Sequence, residues 1–335
     1  MKAAAYYGPR DVRVGEVAKP GLEQGDILLR VRACGICGSD LHTYRHGLFE
    51  DLGVPVETGG RVMGHEFSGE VVEINGEAAG VKVGDRVCTV GMGGNAEYYR
   101  VPAMMSVALL PIPEGISFEE AATTEPLATS LHAVNLAAPA DGETHVIIGA
   151  GIIGLGALQV LKATASVRTI VVDISDRRLE VARQLGADVT VNAGREDPVQ
   201  KIIELTGTEQ MSFMPDVTGK ADTVYDCAGL PLNYTGTPVL QQAITMTKEN
   251  GKVVVVSIFE KSPEIEMNLF VRKGITLYGS WAWSFDEFRH ALELIGSGKV
   301  DRKPLITHKF PLDQASEAYE TQLKAEEAVK VLILP

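Results

Sequence analysis

Apolar and polar positions alternate in short runs over the first 110 residues. Lys2–Tyr6, Val12–Val17, Asp26–Ala33, Phe67–Ile74 and Arg86–Val90 each read as a strand bounded by glycine or proline. Gly59-Gly60 and Gly84-Asp85 punctuate the turns between them. Short strands with frequent turns predict a compact, barrel-like module.

The pattern changes at Ser117, which is followed by Glu119 and Glu120 and then by an alanine-rich stretch. A hydroxyl cap with acids in the first turn predicts a helix start. Strand-like and helix-like segments then alternate: strand Thr144–Ile148, helix Ile152–Lys162, strand Thr169–Val172, helix Arg177–Leu185 ending at Gly186, strand Val189–Asn192. Thr223–Cys227 and Lys252–Ser257 continue the series. Strands separated by helices at this spacing predict βαβ units and a parallel sheet. Thr206–Lys220 breaks the rhythm and reads as a surface loop. After Gly279 a helix near Phe285–Ile295 and a last strand at Val329–Leu334 return to the mixed pattern.

The 335 residues amount to about two domains of roughly 150 residues each. The expected layout is a β-rich domain, residues 1–125 and 281–335, interrupted by an α/β domain over residues 126–280. With 31 basic against 44 acidic residues the net charge is −13. That balance disfavours nucleic acid and anionic membranes as partners, because neutralising phosphate needs clustered lysine and arginine. It favours a small-molecule ligand. No apolar run follows Lys2, so a secretory signal is not expected. The apolar stretch Val146–Leu161 is too short to span a bilayer. Four cysteines make no disulfide framework, and the expected compartment is the reducing cytoplasm.

Two constellations carry chemistry. The first is Gly149-Ala150-Gly151-Ile152-Ile153-Gly154, a G-x-G-x-x-G between a strand and a helix. Gly149 permits the tight turn, Gly151 leaves room for a pyrophosphate, and Gly154 lets helix and strand pack closely. The helix start at Ile152 and Ile153 presents free amides and a positive dipole end to the phosphates. The next strand runs into Asp173, at the distance where a carboxylate accepts the adenosine ribose hydroxyls and repels a 2′-phosphate. This selects NAD over NADP, although Arg177 and Arg178 stand close enough to accommodate a phosphate instead.

The second constellation is Cys34-Gly35-Ile36-Cys37-Gly38-Ser39-Asp40-Leu41-His42, followed by Gly64-His65-Glu66. Thiolate, imidazole and carboxylate together suit zinc, and a catalytic zinc needs fewer protein ligands than a structural one. A single C-x-x-C is also compatible with a redox pair or half of a zinc ribbon. No second C-x-x-C follows, and no thioredoxin-like context surrounds this one. Cys88 and Cys227 read as buried apolar residues.

Several segments in order along the chain resemble the zinc-dependent medium-chain dehydrogenase/reductase (alcohol dehydrogenase) family. They are Gly35–His42, Gly64-His65-Glu66-Phe67-Ser68-Gly69-Glu70-Val71, Gly84-Asp85-Arg86-Val87, Glu125-Pro126-Leu127 with His132-Ala133, the Gly149–Gly154 turn, and Pro304-Leu305-Ile306-Thr307-His308. Cys37–Gly47 and the glutamate of Glu125-Pro126-Leu127 look closest to the sorbitol and butanediol dehydrogenase branch. The resemblance implies a GroES-like catalytic domain, a Rossmann cofactor domain and an active site between them. Carried over by position, it implies a catalytic zinc held by Cys37 and His65, with Glu66 a third ligand, direct or through water, and Glu125 contributing through the metal-bound water. Asp40 would orient the His65 imidazole, and Ser39 and His42 would relay the proton of the substrate hydroxyl. Gly149, Gly151, Ile152, Ile153, Gly154, Asp173 and Arg178 would bind the cofactor, and Cys34 would pack.

One departure stands out. Where most zinc members carry a lobe of four closely spaced cysteines for a second zinc, Arg86–Val90 here runs directly through Gly91-Met92-Gly93-Gly94-Asn95 to Tyr98-Tyr99. One catalytic zinc per chain and no structural zinc are therefore expected. The family also implies dimers or tetramers. The leading expectation is hydride transfer between NAD and a secondary alcohol: a polyol, sugar alcohol or vicinal diol. A threonine-type amino-alcohol dehydrogenase, a zinc-free quinone or enone reductase and a non-catalytic cofactor-binding protein are the alternatives.

Overall fold

The computed structural model describes residues 1–77, 80–210 and 217–335. Two compact units account for them: Met1–Ala128 with Ser284–Pro335, and the continuous Thr129–Trp283.

The first unit is built on two sheets. The smaller places Asp11–Glu16, Lys2–Gly8, Arg61–Val62 and Val54–Pro55 side by side. The larger runs Ile306–Pro311, Lys330–Leu334, Ile27–Gly35, Glu66–Ile74, Arg86–Val90 and Leu110–Pro111, with Tyr98–Val101 also paired to Ile27–Gly35. Ile27–Gly35 is the hub, buried on both faces at Leu28, Leu29 and Val31. Leu29, Val31, Phe67, Val71 and Val87 form one core cluster between these strands. The Ser117 start is capped in both directions, Ser117 Oγ accepting from Glu120 N and Glu120 accepting from Ser117 N.

The second unit is a six-stranded parallel sheet in the order Val189–Asn192, Arg168–Asp173, Thr144–Ile148, Ala221–Asp226, Thr247–Val255, Thr276–Gly279. Its inner strands Thr144–Ile148 and Arg168–Asp173 are buried on both faces along almost their whole length. The strand order reverses beside Thr144–Ile148, the switch point at which a Rossmann sheet opens a ligand crevice. Thr206 closes the helix Pro198–Thr206, and Glu209–Gln210 pairs antiparallel with Val217–Thr218. The expected loop over 206–220 thus contains a two-residue ladder, too short to leave a sequence pattern, and its middle lies outside the described residues.

His145 is fully buried in this sheet, its ring nitrogens 3.0 Å from Glu143 Oε2 and 3.2 Å from Tyr225 OH. Burial holds its pKa below the ordinary imidazole value, more than offsetting Glu143 and Asp222, while Lys252 pushes the same way as burial. The unfolded chain therefore takes up this proton first. Stability from this group is complete above about pH 6.5 and declines as pH falls toward the folded value. The thermal midpoint should drop further between pH 7 and pH 5 in the parent protein than in His145→Phe, and equal slopes would remove His145 from the account.

Candidate functional site

Two arms of the first unit meet at the cysteine–histidine constellation. On one, Ile27–Gly35 ends and Cys37 becomes the N-cap of the helix Gly38–His46, with φ −84° and ψ 162°. Asp40 in the first turn accepts from Cys37 N at 2.9 Å, closing the cap. The positive end of the helix dipole thus falls on Cys37. On the other arm, Gly64 takes φ +88°, and Glu66 opens the strand Glu66–Ile74, paired opposite Gly35. A Cβ on Gly35 would collide with Glu66 Oε2, so the glycine makes the space that the carboxylate fills.

The result brings Cys37 Sγ, a His65 ring nitrogen and a Glu66 oxygen within 4.8 Å of one another, the only such metal-capable group among the described residues. His65 Nδ1 lies 3.9 Å from Asp40 Oδ1. Burial disfavours the charged imidazole, yet Cys37, Asp40 and Glu125 together draw His65 well above its ordinary pKa. Such a field calls for a cation. Thiolate, imidazole and carboxylate at these separations fit zinc.

Two buried cations on the C-terminal segment were not legible in the sequence. Lys330 Nζ donates to Glu66 Oε1 at 3.0 Å, to Oε2 at 2.7 Å and to Ile36 O at 2.8 Å, using all three of its protons. Burial pushes this ammonium down, but Glu66, Cys37 and Glu125 outweigh it and its pKa is raised. Arg302 is the largest fully buried side chain among the described residues. Its Nε donates to Thr123 Oγ1 at 3.1 Å; burial pulls its pKa down to about 9, against the attraction of Glu66.

The other expected residues fall around this group. Ser39 and His42 are half-buried and three positions apart on Gly38–His46, hence neighbours on one face. Glu125 is half-buried in the first turn of the helix Thr124–Ala137 and acts electrostatically on both His65 and Lys330. Cys34 and Cys88 are buried, and all four cysteines are free thiols.

In the second unit Thr144–Ile148 runs into Gly149, at φ +102°, and Gly151 caps the helix Ile152–Thr164. A Cβ on Gly149 would press within 2.9 Å of the Cys227 backbone, and one on Gly154 would strike Gly149 O. At Gly151 a Cβ would meet nothing within 4 Å. Protein packing therefore explains the first and third glycines, whereas the second borders open space. Asp173 ends Arg168–Asp173, accepting from Ala150 N at 2.6 Å and Ser175 N at 2.8 Å. Arg178 is half-buried on the following helix, and Asp173 acts on its charge.

A β-rich unit with a Cys–His–Glu cation group, joined to a Rossmann unit with a complete phosphate turn, defines a dehydrogenase of the zinc type. Known proteins agree. Residues 23–114 match the alcohol dehydrogenase GroES-like domain and residues 153–297 match the zinc-binding dehydrogenase model. The chain is 33% identical to (R,R)-butanediol dehydrogenase of Bacillus subtilis over the whole of both chains. It is 32% identical to sorbitol dehydrogenase 1 of Saccharomyces cerevisiae, covering 92% of this chain and 90% of that one. The crystal structure of 2R,3R-butanediol dehydrogenase from Bacillus subtilis superposes with a TM-score of 0.84, covering 100% of this chain and 99% of the other. The chain belongs to the zinc-dependent alcohol dehydrogenase family, and is an oxidoreductase acting on CH–OH groups.

Proposed function

We propose that the protein transfers hydride between NAD and a secondary alcohol of the polyol, sugar-alcohol or vicinal-diol class, with one zinc ion per chain. The observation that carries this reading is the convergence of Cys37, His65 and Glu66 within 4.8 Å. Both relatives named above act on compounds of this class by their names. A single zinc is supported by the direct run from Arg86–Val90 through residues 91–97 to Tyr98–Val101.

Zinc bound here supplies a Lewis acid that lowers the pKa of a substrate hydroxyl, and NAD supplies the hydride acceptor. The chain's own residues do the rest. Cys37, His65 and Glu66 would hold the ion, and Glu125 adds a carboxylate to the same field. Asp40 fixes the orientation of the imidazole. Ser39 Oγ receives the hydroxyl proton and His42 passes it to solvent. Asp173 accepts the ribose hydroxyls of NAD and disfavours a 2′-phosphate, while Arg178 contributes beside it.

A second copy completes the assembly. The parallel sheet ends on Thr276–Gly279, whose outer side pairs with no strand among the described residues and exposes Leu277 at 45%. Such an edge invites pairing with another chain, and light scattering giving a monomer would end this part of the reading. Among the described residues no helix is long and apolar enough to cross a membrane; four free thiols suit a reducing compartment such as the cytoplasm.

The test is NADH formation by zinc-loaded protein offered NAD with polyols, vicinal diols, threonine and simple primary alcohols. Activity confined to polyols or diols and lost on chelation is the expected result; turnover of threonine alone moves the protein to the amino-alcohol branch. His42→Ala should slow turnover near neutral pH and recover as pH rises, because solvent then takes the proton directly. A kcat–pH profile parallel to the parent's would remove His42 from the relay.

A further inference from the structure

The turn that joins Arg86–Val90 to Tyr98–Val101 lies against the segment that delivers His65 and Glu66. Gly93 N and Gly94 N both donate to Gly64 O, at 3.0 and 2.9 Å, and Asn95 N donates to Met63 O at 3.0 Å. The fit is close. A Cβ on Gly64 would come within 2.7 Å of both Asn95 Oδ1 and Cys34 Sγ, and one on Gly94 within 2.5 Å of the Phe67 ring. On its other side the turn is tied to the first strand, Asn95 O accepting from Ala4 N at 2.8 Å.

Asn95 is 1% exposed, and its Nδ2 donates to Tyr319 OH at 3.0 Å. Tyr319, equally buried, packs its ring at 5.1 Å from Tyr44, which sits on the helix that Cys37 caps. The Tyr319 phenol also lies in the field of Asp40, Cys34 and Cys37. One residue thus reaches both arms: its backbone grips the His65 arm, and its amide, through Tyr319, grips the Cys37 arm. Meanwhile Asn95 Oδ1 is buried with no hydrogen-bond partner. A buried amide left half-satisfied costs stability that an apolar residue of similar volume would not. Packing alone does not account for an asparagine here.

We infer that Asn95 is a positioning residue of the metal site, holding the His65–Glu66 arm and the Cys37 arm at cation-binding separation before the cation arrives. This rests on the reading of Cys37, His65 and Glu66 as the zinc site. It assigns to the short turn 91–95 a role in metal affinity.

The test compares the parent protein with Asn95→Leu and Tyr319→Phe, using Zn2+ and Co2+ alone as probes. Zinc release to a chelator, the visible spectrum of the Co2+ form, the thermal midpoint of the metal-free protein and NADH affinity are read for each. Asn95→Leu should keep its metal-free midpoint and NADH affinity, release zinc roughly 10- to 100-fold faster, and shift the Co2+ bands. Tyr319→Phe, which keeps the ring and removes only the acceptor, should move the same readouts in the same direction by less, and it decides alone if Asn95→Leu does not fold. Parent-like release and parent-like Co2+ bands in the folded variants overturn the inference. A parent protein that takes up neither ion overturns the zinc-site reading itself, which is a different failure.

Discussion

Cys37→Ser should leave a folded protein that binds NADH normally and turns over alcohol roughly a thousandfold more slowly or worse. The magnitude follows from the several kcal/mol that a Lewis acid contributes to charge stabilisation, at tenfold in rate per about 1.4 kcal/mol. Serine preserves the cap of Gly38–His46, because the bond from Cys37 N to Asp40 is made by the backbone. It removes the one soft, anionic donor of the group, leaving His65 and Glu66 to hold the ion. Metal content and NADH affinity should separate cleanly, zinc being lost and the nucleotide site untouched. Near-parental turnover in a zinc-free preparation would sink the assignment of Cys37.

Lys330→Met tests the opposite side of the same site, and its largest effect is on stability. Glu66 is fully buried and its carboxylate takes two bonds from Lys330. Methionine matches the length of the lysine stem but leaves that carboxylate buried without its counter-charge. Breaking one partner of a buried pair costs about 3–5 kcal/mol, so the metal-free variant should unfold at markedly lower denaturant concentration. Zinc should restore much of the loss, since a divalent cation beside Glu66 supplies the missing positive charge. Added zinc should therefore raise the stability of the variant more than that of the parent. A metal-free variant as stable as the parent would show that the pair contributes nothing net.

What the sequence revealed, and what it hid, divides along the range of the interactions. The strand–glycine turn–helix was legible because it is local: Thr144–Ile148 forms the strand read from its apolar run, and the helix begins at Ile152. The Ser117 cap was legible for the same reason. Gly38–His46 carries no apolar stripe, and its start depends on the Cys37–Asp40 cap rather than on periodicity. Val54–Pro55 and Arg61–Val62, at two residues each, are too short for any period to register. Lys330 reads in sequence as the one polar residue of the apolar strand Val329–Leu334, and Arg302 as one more surface charge. Their burial is decided by what Lys330–Leu334 pairs with and what Thr123 offers, neither of which is near in the chain. Asn95 was hidden likewise, since its partners are Met63, Ala4 and Tyr319.

The pairing of Lys330–Leu334 with Ile27–Gly35 also dictates an order of assembly. Lys330 reaches Ile36 across 294 residues of sequence, and a contact that distant must bear its loop-closure entropy before it returns any stability. Thr129–Trp283, by contrast, is continuous and closes its sheet through successive local crossovers, so it can fold as a unit of its own. The continuous unit Thr129–Trp283 thus has a route to structure that does not wait for the chain termini to meet, whereas the surroundings of Cys37, His65 and Glu66 are finished only by the last strand. A chain recovering from denaturant should regain NADH binding first and its capacity to hold zinc afterwards.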